Sequence, residues 1–193
     1  MRGRRARATN SSMTVAGHPT ERFYRRRLPH WRIAGCIYFV TWRLTAHQQE
    51  LSPEERGIVA AEFQSREGQR YDLHAYVVMN DHIHVLVEPL GALTLERIVH
   101  SWKSFTAHQL QRTCRRHGQL WQDEYFDRWV RDEKEYTQKL RYIIGNPWNR
   151  WPELREYPWV WSRRLNSGGD RNRNWYARAR RPRIVGGHGG PPH

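Results

Sequence analysis

Residues 79–88 read Met-Asn-Asp-His-Ile-His-Val-Leu-Val-Glu, and this run predicts a β-strand that carries two histidines on one face. Successive side chains in a strand point to opposite faces, so His82 and His84 share a face while Ile83 and Val85 point toward a core. Two neighbouring imidazoles on a rigid strand supply two ligands of a divalent-metal site. A His-x-His pair alone fits an ordinary exposed polar face equally well.

The segments before this strand predict its neighbours in a sheet. Residues 33–44 form a first strand, because they are rich in β-branched and aromatic side chains. Residues 53–68 form a helix with Ser52 as its N-cap. Residues 73–79 form a second strand, which a turn at residues 80–81 joins to the histidine strand as a hairpin.

Two helices are predicted after the histidine strand. Apolar residues recur at helical spacing over residues 95–117, and the opposite face is basic, which favours a DNA contact surface over an ordinary solvated face. Residues 134–147 form a shorter helix that Gly145 and Pro147 stop, with a capping box formed by Asp132 and Glu135.

The shorter helix carries a tyrosine and an asparagine at a useful spacing. Tyr142 and Asn146 stand four residues apart and therefore share one helix face. A phenol and an amide oxygen could thus meet the histidine pair. Tyr142 alone fits a half-buried packing residue as well as a nucleophile.

The element order strand, helix, strand, strand, helix, strand is that of a ferredoxin-like α+β sandwich. An antiparallel sheet with helices over one face leaves the other face for a ligand. The predicted fold is therefore a ferredoxin-like antiparallel sheet sandwich with an added C-terminal tyrosine helix.

Four blocks in the right order resemble the single-tyrosine HUH nucleases, specifically the IS200-like transposases and their REP-associated tyrosine transposase branch. The resemblance spans residues 21–165. The blocks are His82-Ile83-His84, residues 121–128 with Val130-Arg131-Asp132, Tyr142-x-x-x-Asn146-Pro147, and Tyr157-Pro158-Trp159 with Ser162. The chain departs from the family where Met79-Asn80-Asp81 replaces the common Met-Pro-Asn, and where aromatic residues follow Pro147.

The resemblance implies the HUH endonuclease fold and a specific chemistry. His82, His84 and Asn146 would bind Mg²⁺ or Mn²⁺. Tyr142 would attack single-stranded DNA at a hairpin or REP-type palindrome and form a 5′-phosphotyrosine intermediate. Candidate DNA contacts are Lys103, Arg112, Arg115, Arg128, Arg131 and Arg141.

The net charge of +14 lies mainly in the two ends of the chain. Residues 1–32 hold nine arginines and one acid, and residues 163–193 hold eight arginines and one acid. Basic arms attract polyanions without reading sequence. We expect a disordered basic arm at residues 1–20, a catalytic domain at 21–165 and a disordered basic tail at 166–193.

The remaining features predict a cytoplasmic, nucleoid-associated protein that is a monomer or homodimer. Two cysteines without metal spacing fit a reducing compartment, and no apolar run is long enough to cross a membrane. Two other functions remain open. One is an inactive module that grips hairpin DNA or RNA, and the other is a metal-dependent hydrolase that uses the histidines without Tyr142.

The tryptophan-rich segment 148–161 fits two roles. Its tryptophans, interleaved with arginine and proline, could stack on unpaired bases or fold back as a C-terminal clasp over the core. The prolines favour the clasp.

Overall fold

A computed structural model of the protein describes residues 35–163. The elements are β1 (Tyr38–Arg43), α1 (Pro53–Ser65), β2 (Tyr71–Val78), β3 (His82–Pro89), α2 (Leu95–Cys114), β4 (Phe126–Trp129), α3 (Glu133–Arg150) and β5 (Val160–Ser162). The predicted basic arm and tail, at residues 1–20 and 166–193, lie outside the described residues. No helix within residues 35–163 has the length and apolar character to cross a membrane.

The five strands form one antiparallel sheet in the order β4-β1-β3-β2-β5. The first four strands have the order of a ferredoxin-like fold, so the predicted fold class is confirmed. The β2–β3 hairpin forms as predicted, and the Met79 amide donates to the His82 carbonyl at 2.8 Å across its turn. The histidine strand therefore lies at the centre of the sheet, where strands on both sides hold it rigid.

Helices α1 and α2 cover one face of the sheet. Ile83 and Val85 of the histidine strand are fully buried there and share one apolar cluster with Trp42 and Trp102. The predicted start of α1 is confirmed, because Ser52 and Glu55 form a complete capping box. The apolar alternation around His82 and His84 thus points into this core, and the histidines point away from it.

Helix α3 packs on part of the other face, which the sequence had predicted to be open. Leu140, Ile143 and Ile144 of α3 join a second apolar cluster with Val77 of β2 and Leu86 of β3. Because β2 carries the small or apolar residues Ala75 and Val77 on this face, it provides a surface for the helix. The part of the face formed by β1 and β4 lies beside the helix.

Several predicted boundaries were wrong. Strand β1 begins at Tyr38 instead of residue 33, and α1 ends at Ser65 instead of Gly68. Helix α2 ends at Cys114 instead of residue 117, because Arg115 adopts a left-handed conformation (φ +56°) that stops the helix.

The tyrosine helix extends beyond its predicted C-terminal end. It continues through Gly145 and Pro147 to Arg150, and the Trp151 amide donates to the Pro147 carbonyl at 2.8 Å. Pro147 removes one helical hydrogen bond, but the residue is buried, as are Ile143 and Ile144 before it, and this burial keeps the helix continuous. At the other end, Asp132 caps the Glu135 amide as predicted, at 2.7 Å.

The carboxylate of Glu135 does not complete the predicted capping box. It accepts hydrogen bonds from Arg128 and Arg131 instead, including the Arg131 backbone amide at 3.1 Å. Two guanidinium groups outcompete the neutral N-cap amide for this carboxylate because charge-assisted bonds are stronger.

The segment after α3 folds back as the predicted clasp. The Trp159 carbonyl accepts from the Val78 amide at 2.9 Å, and the Trp161 ring stacks on Tyr76 at 6.0 Å between centroids. The Arg56 guanidinium lies 4.1 Å from the Trp159 ring centroid. The tryptophans therefore extend and close the sheet at its β2 edge.

Candidate active site

His82 and His84 lie side by side on β3, with ring centroids 4.8 Å apart. The sheet register sets Arg43 opposite His82 and Thr41 opposite His84 on the neighbouring strand β1. The predicted pairing of the two imidazoles on one sheet face is thus present in the structure.

Each imidazole is held through its Nδ1 atom. The His82 Nδ1 lies 2.6 Å from Asp81 Oδ1, and the His84 Nδ1 lies 2.7 Å from Thr41 Oγ1. This leaves the Nε2 atom of each ring for a metal ion. Metal-binding histidines in proteins are commonly held in this way by a carboxylate or another oxygen at the second nitrogen.

The electrostatics of the pair suit metal binding. Burial holds the pKa of His84 well below its usual range, and the nearby charges of His82, Arg43 and Lys139 lower it further. His84 is therefore neutral near pH 7 and offers a lone pair to a cation. The hydrogen bond from His82 lowers the pKa of Asp81, so its carboxylate stays ionised and orients His82.

The third predicted ligand, Asn146, lies half-buried on α3, one turn after Tyr142. Among the described contacts, none joins Asn146 to His82 or His84, so its role as a ligand stays a prediction. Residues 35–163 contain no group of three His, Cys, Asp or Glu side chains that could hold a metal ion.

Tyr142 projects from α3 toward the histidines. Its hydroxyl oxygen lies 3.4 Å from His84 Nε2, the ring nitrogen that Thr41 leaves available. The Tyr142 side chain is 45% exposed, so its phenol is accessible from solvent. A nucleophile candidate and a metal-ligand candidate therefore meet at one accessible point.

Phe39 of β1 lies beneath this arrangement. Its ring stacks on His84 at 5.5 Å between centroids and meets the Tyr142 ring edge-on at 5.9 Å. The Lys139 ammonium lies 4.3 Å from the Phe39 centroid. One buried side chain thus supports the candidate ligand His84, the candidate nucleophile Tyr142 and a neighbouring cation.

Three predicted DNA contacts lie away from the histidines. Lys103 and Arg112 are on α2 and Arg115 follows it, and this helix packs on the opposite face of the sheet. The Lys103 ammonium donates to the backbone carbonyls of Gln122 and Asp123, and burial lowers its pKa. Lys103 is thus engaged in holding the segment before β4.

The other three predicted DNA contacts lie on the α3 side. Arg128 and Arg131 both bind Glu135 and so join β4 to the first turn of α3. Arg141 is exposed on α3 beside Tyr142. Whether any of the six contacts DNA stays a prediction.

Sequence analysis missed the roles of three residues at this site. These are Phe39, which supports the rings, and Thr41 and Asp81, which orient the histidines. Asp81 is adjacent to His82, so its position was a usable signal. Phe39 and Thr41 are more than 40 positions from the histidines and become neighbours only through the β1–β3 register.

The model of the protein family described as "Transposase IS200 like" matches residues 36–146, which include the histidine pair, Tyr142 and Asn146. The chain belongs to the IS200-like transposase family. A search of curated proteins found no match.

Two solved structures resemble this IS200-like family member. One is a REP-associated tyrosine transposase bound to a REP hairpin, with a TM-score of 0.55 and 20% identity over 72% of this chain and 81% of that chain. The other is described as a putative transposase from Deinococcus radiodurans R1, with a TM-score of 0.42 and 19% identity over 62% of this chain and 97% of that chain. The first similarity supports the ferredoxin-like fold.

Proposed function

We propose that this protein is a metal-dependent single-stranded DNA endonuclease and strand transferase that acts at hairpin or REP-type palindromes. The observation that carries the proposal is the 3.4 Å separation between the Tyr142 hydroxyl and His84 Nε2, beside His82. The binding of a REP hairpin by the solved transposase with the same fold supports this class of substrate.

The Nε2 atoms of His82 and His84 and the side-chain oxygen of Asn146 would hold the Mg²⁺ or Mn²⁺ ion. A mixed nitrogen and oxygen set suits these ions. When bound, the ion neutralises charge on the scissile phosphate and on the oxygen that leaves it. Thr41 and Asp81 keep both rings oriented for this task.

Tyr142 supplies the nucleophile. Its phenol oxygen bonds to phosphorus while the bond from phosphorus to the 3′ oxygen breaks. The phenol loses its proton, and the departing 3′ oxygen takes one up as a hydroxyl. The product is a 5′-phosphotyrosine on the downstream fragment and a free 3′-hydroxyl on the upstream one.

The covalent step conserves the energy of the broken phosphodiester. A 3′-hydroxyl can attack the phosphotyrosine, restore Tyr142 and join two strands without ATP. The phenol is half-exposed, and the substrate would be an unpaired strand because its phosphate must reach the metal and Tyr142, which a duplex would obstruct. We would expect an enzyme with this substrate to act at the nucleoid.

The test uses hairpin oligonucleotides labelled at the 5′ or the 3′ end, with Mn²⁺ or Mg²⁺. We expect a denaturation-resistant protein adduct on the fragment 3′ of the cut. It should be absent with EDTA and in Tyr142→Phe, and present in Tyr125→Phe, a half-buried tyrosine packed on the first cluster. Tight binding without adduct would favour a binding module, and hydrolysis that survives Tyr142→Phe would favour a hydrolase.

We further propose that Tyr142 acts in cis, within one chain, because it reaches His84 of its own chain. A mixture of Tyr142→Phe and His84→Ala proteins then stays inactive in the cleavage assay. Recovery of cleavage in the mixture would show that two chains form one site.

A further inference from the structure

Phe126 is a large apolar side chain left accessible on the edge strand β4. The residue is 42% exposed, although phenylalanine is usually buried. Strand β4 is the terminal strand of the sheet on the β1 side. The proposed chemistry makes no use of this ring.

Phe126 lies on the same sheet face as the proposed metal site. It pairs directly with Thr41 of β1, and Thr41 pairs with His84 of β3. Directly paired residues share a face, and strands lie about 4.8 Å apart, so the Phe126 and His84 Cα atoms are about 10 Å apart. The ring also contacts Phe39, edge-on at 6.5 Å between centroids.

Cations flank this aromatic surface. Arg43 stands opposite His82 with its side chain 44% exposed, and Lys139 lies over the Phe39 ring at 4.3 Å. Proteins that bind single-stranded nucleic acid combine cations that follow the backbone with aromatic rings on which bases stack. A metal site, two cations and an exposed ring on one face provide both parts.

We propose that Phe126 is a stacking platform for one unpaired nucleobase next to the scissile phosphate. This inference rests on the proposed function, because it assigns a base position to the same strand. The base would lie on the Phe126 ring while the adjoining backbone runs past Arg43 and Lys139 toward Tyr142. Stacking fixes the strand without selecting a base by hydrogen bonds, because every base has an aromatic face.

A partner protein fits this surface less well. A stable protein interface buries about 1,000 Å² or more, and the half-exposed rings of Phe126 and Tyr142 beside cations offer far less apolar area. A second copy of this chain, paired along the β4 edge, would be the other occupant and is an outcome of the test below.

The experiment measures the affinity of full-length protein for a hairpin with single-stranded flanks, in the Tyr142→Phe background and at one fixed salt concentration. Phe126→Ala should weaken binding about tenfold, the order expected for one base on one ring. Phe126→Trp should restore the affinity. Phe105→Ala is the matched control, because Phe105 is 45% exposed on α2, over the other face of the sheet.

An abasic scan of the flanks identifies the base. At one position near the cut, abasic DNA should bind the Tyr142→Phe protein about tenfold more weakly than intact DNA does. Once Phe126→Ala is added, abasic and intact DNA should bind equally well, because the ring that the base stacked on is gone. The proposal would be wrong if the affinity losses from Phe126→Ala and from the abasic position multiplied at every position tested. It would also be wrong if Phe105→Ala weakened binding as much as Phe126→Ala does. A change of oligomeric state in Phe126→Ala without a change in affinity would assign the ring to a second copy.

The two proposals fail in different ways. If the wild-type protein binds hairpins but forms no adduct, the cleavage function is wrong, and the abasic scan still decides the role of Phe126. If it binds no hairpin or single strand at all, both proposals are wrong.

Discussion

The Tyr142 hydroxyl oxygen lies 3.4 Å from His84 Nε2, although the two residues are 58 positions apart in the sequence. No local pattern creates this proximity. It depends on the packing of α3 against β2 and β3, through Ile143 and Leu86 among others. The position of the proposed nucleophile is therefore determined by the packing of the second apolar cluster.

Ile143→Ala should lower both the stability of the fold and the rate of cleavage, and the two effects can be measured separately. Ile143 is fully buried, so its truncation leaves a cavity and lowers the free energy of unfolding by about 2–4 kcal/mol. Cleavage should fall further than the fraction of unfolded protein explains, because α3 loses its register on the sheet. Urea unfolding and single-turnover cleavage measure the two effects. Lys134→Ala, exposed on the same helix, should change neither; an equal effect there would contradict the argument.

Thr41→Val should weaken metal binding while the fold persists. The variant keeps the shape of the side chain but loses the 2.7 Å bond that orients His84. Removal of a hydrogen-bond partner that orients a metal ligand typically lowers metal affinity or activity by about 10- to 100-fold. A Mn²⁺ titration followed by electron paramagnetic resonance gives the affinity. Thr113→Val removes a hydroxyl bond on α2, remote from the histidines, and should bind Mn²⁺ normally.

Asp81→Asn should act on His82 in the same range. The carboxylate is 2.6 Å from His82 Nδ1 and also binds Arg43 at 3.5 Å, so the amide removes a charge from both contacts. We expect about 10-fold weaker Mn²⁺ binding or more. Asp123→Asn, an exposed aspartate before β4, serves as the control. Unchanged Mn²⁺ affinity in Asp81→Asn would show that Asp81 does not orient a ligand.

Glu135→Gln should change the response of stability to acid. Hydrogen bonds from Arg128 and from the Arg131 amide lower the pKa of Glu135 from 4.5 to about 2. Since folding favours the ionised form, this stabilisation is complete above pH 4.5 and is lost as the pH falls toward 2. The variant should be less stable at pH 7, by about 1 kcal/mol, and should lose less stability between pH 5 and pH 3.

Urea midpoints at pH 7, 5 and 3 measure this difference. Glu54→Gln changes an exposed carboxylate in the first turn of α1 and should follow the parent protein at each pH. If Glu135→Gln falls as steeply as the parent, the link between β4 and α3 is not the source of the acid sensitivity.

Short-range patterns predicted most of the fold. The alternation around His82 and His84 established which face is buried, and the Ser52 cap located the start of α1. The end of α3 could not be predicted in this way. Gly145 and Pro147 are helix breakers in an isolated segment, and only the tertiary burial of this part of α3, Pro147 included, overrides them.

The residues of the candidate site also fall into two groups: those that the local sequence indicates and those that only the tertiary structure brings in. His82, His84 and Tyr142 were recognisable because their spacing and residue types carry the chemistry. Thr41 and Phe126 could not be recognised in this way, because they lie near the histidines only through the strand register. Phe126 of β4 pairs with Thr41 of β1, and Thr41 pairs with His84 of β3. The basic face of α2 shows the converse: charge predicted a DNA surface, but no sequence pattern said which side of the sheet that helix covers.

Phe39 has a consequence for how this protein can change in evolution. The same ring fills the second apolar cluster and supports both His84 and Tyr142. If the proposed catalysis were lost in a descendant, Thr41 and Tyr142 could change, but Phe39 would still be needed to fill the cluster. An aromatic residue at position 39 of a relative is thus expected wherever the domain folds, while threonine at position 41 together with tyrosine at position 142 is expected only where the proposed nuclease activity is kept.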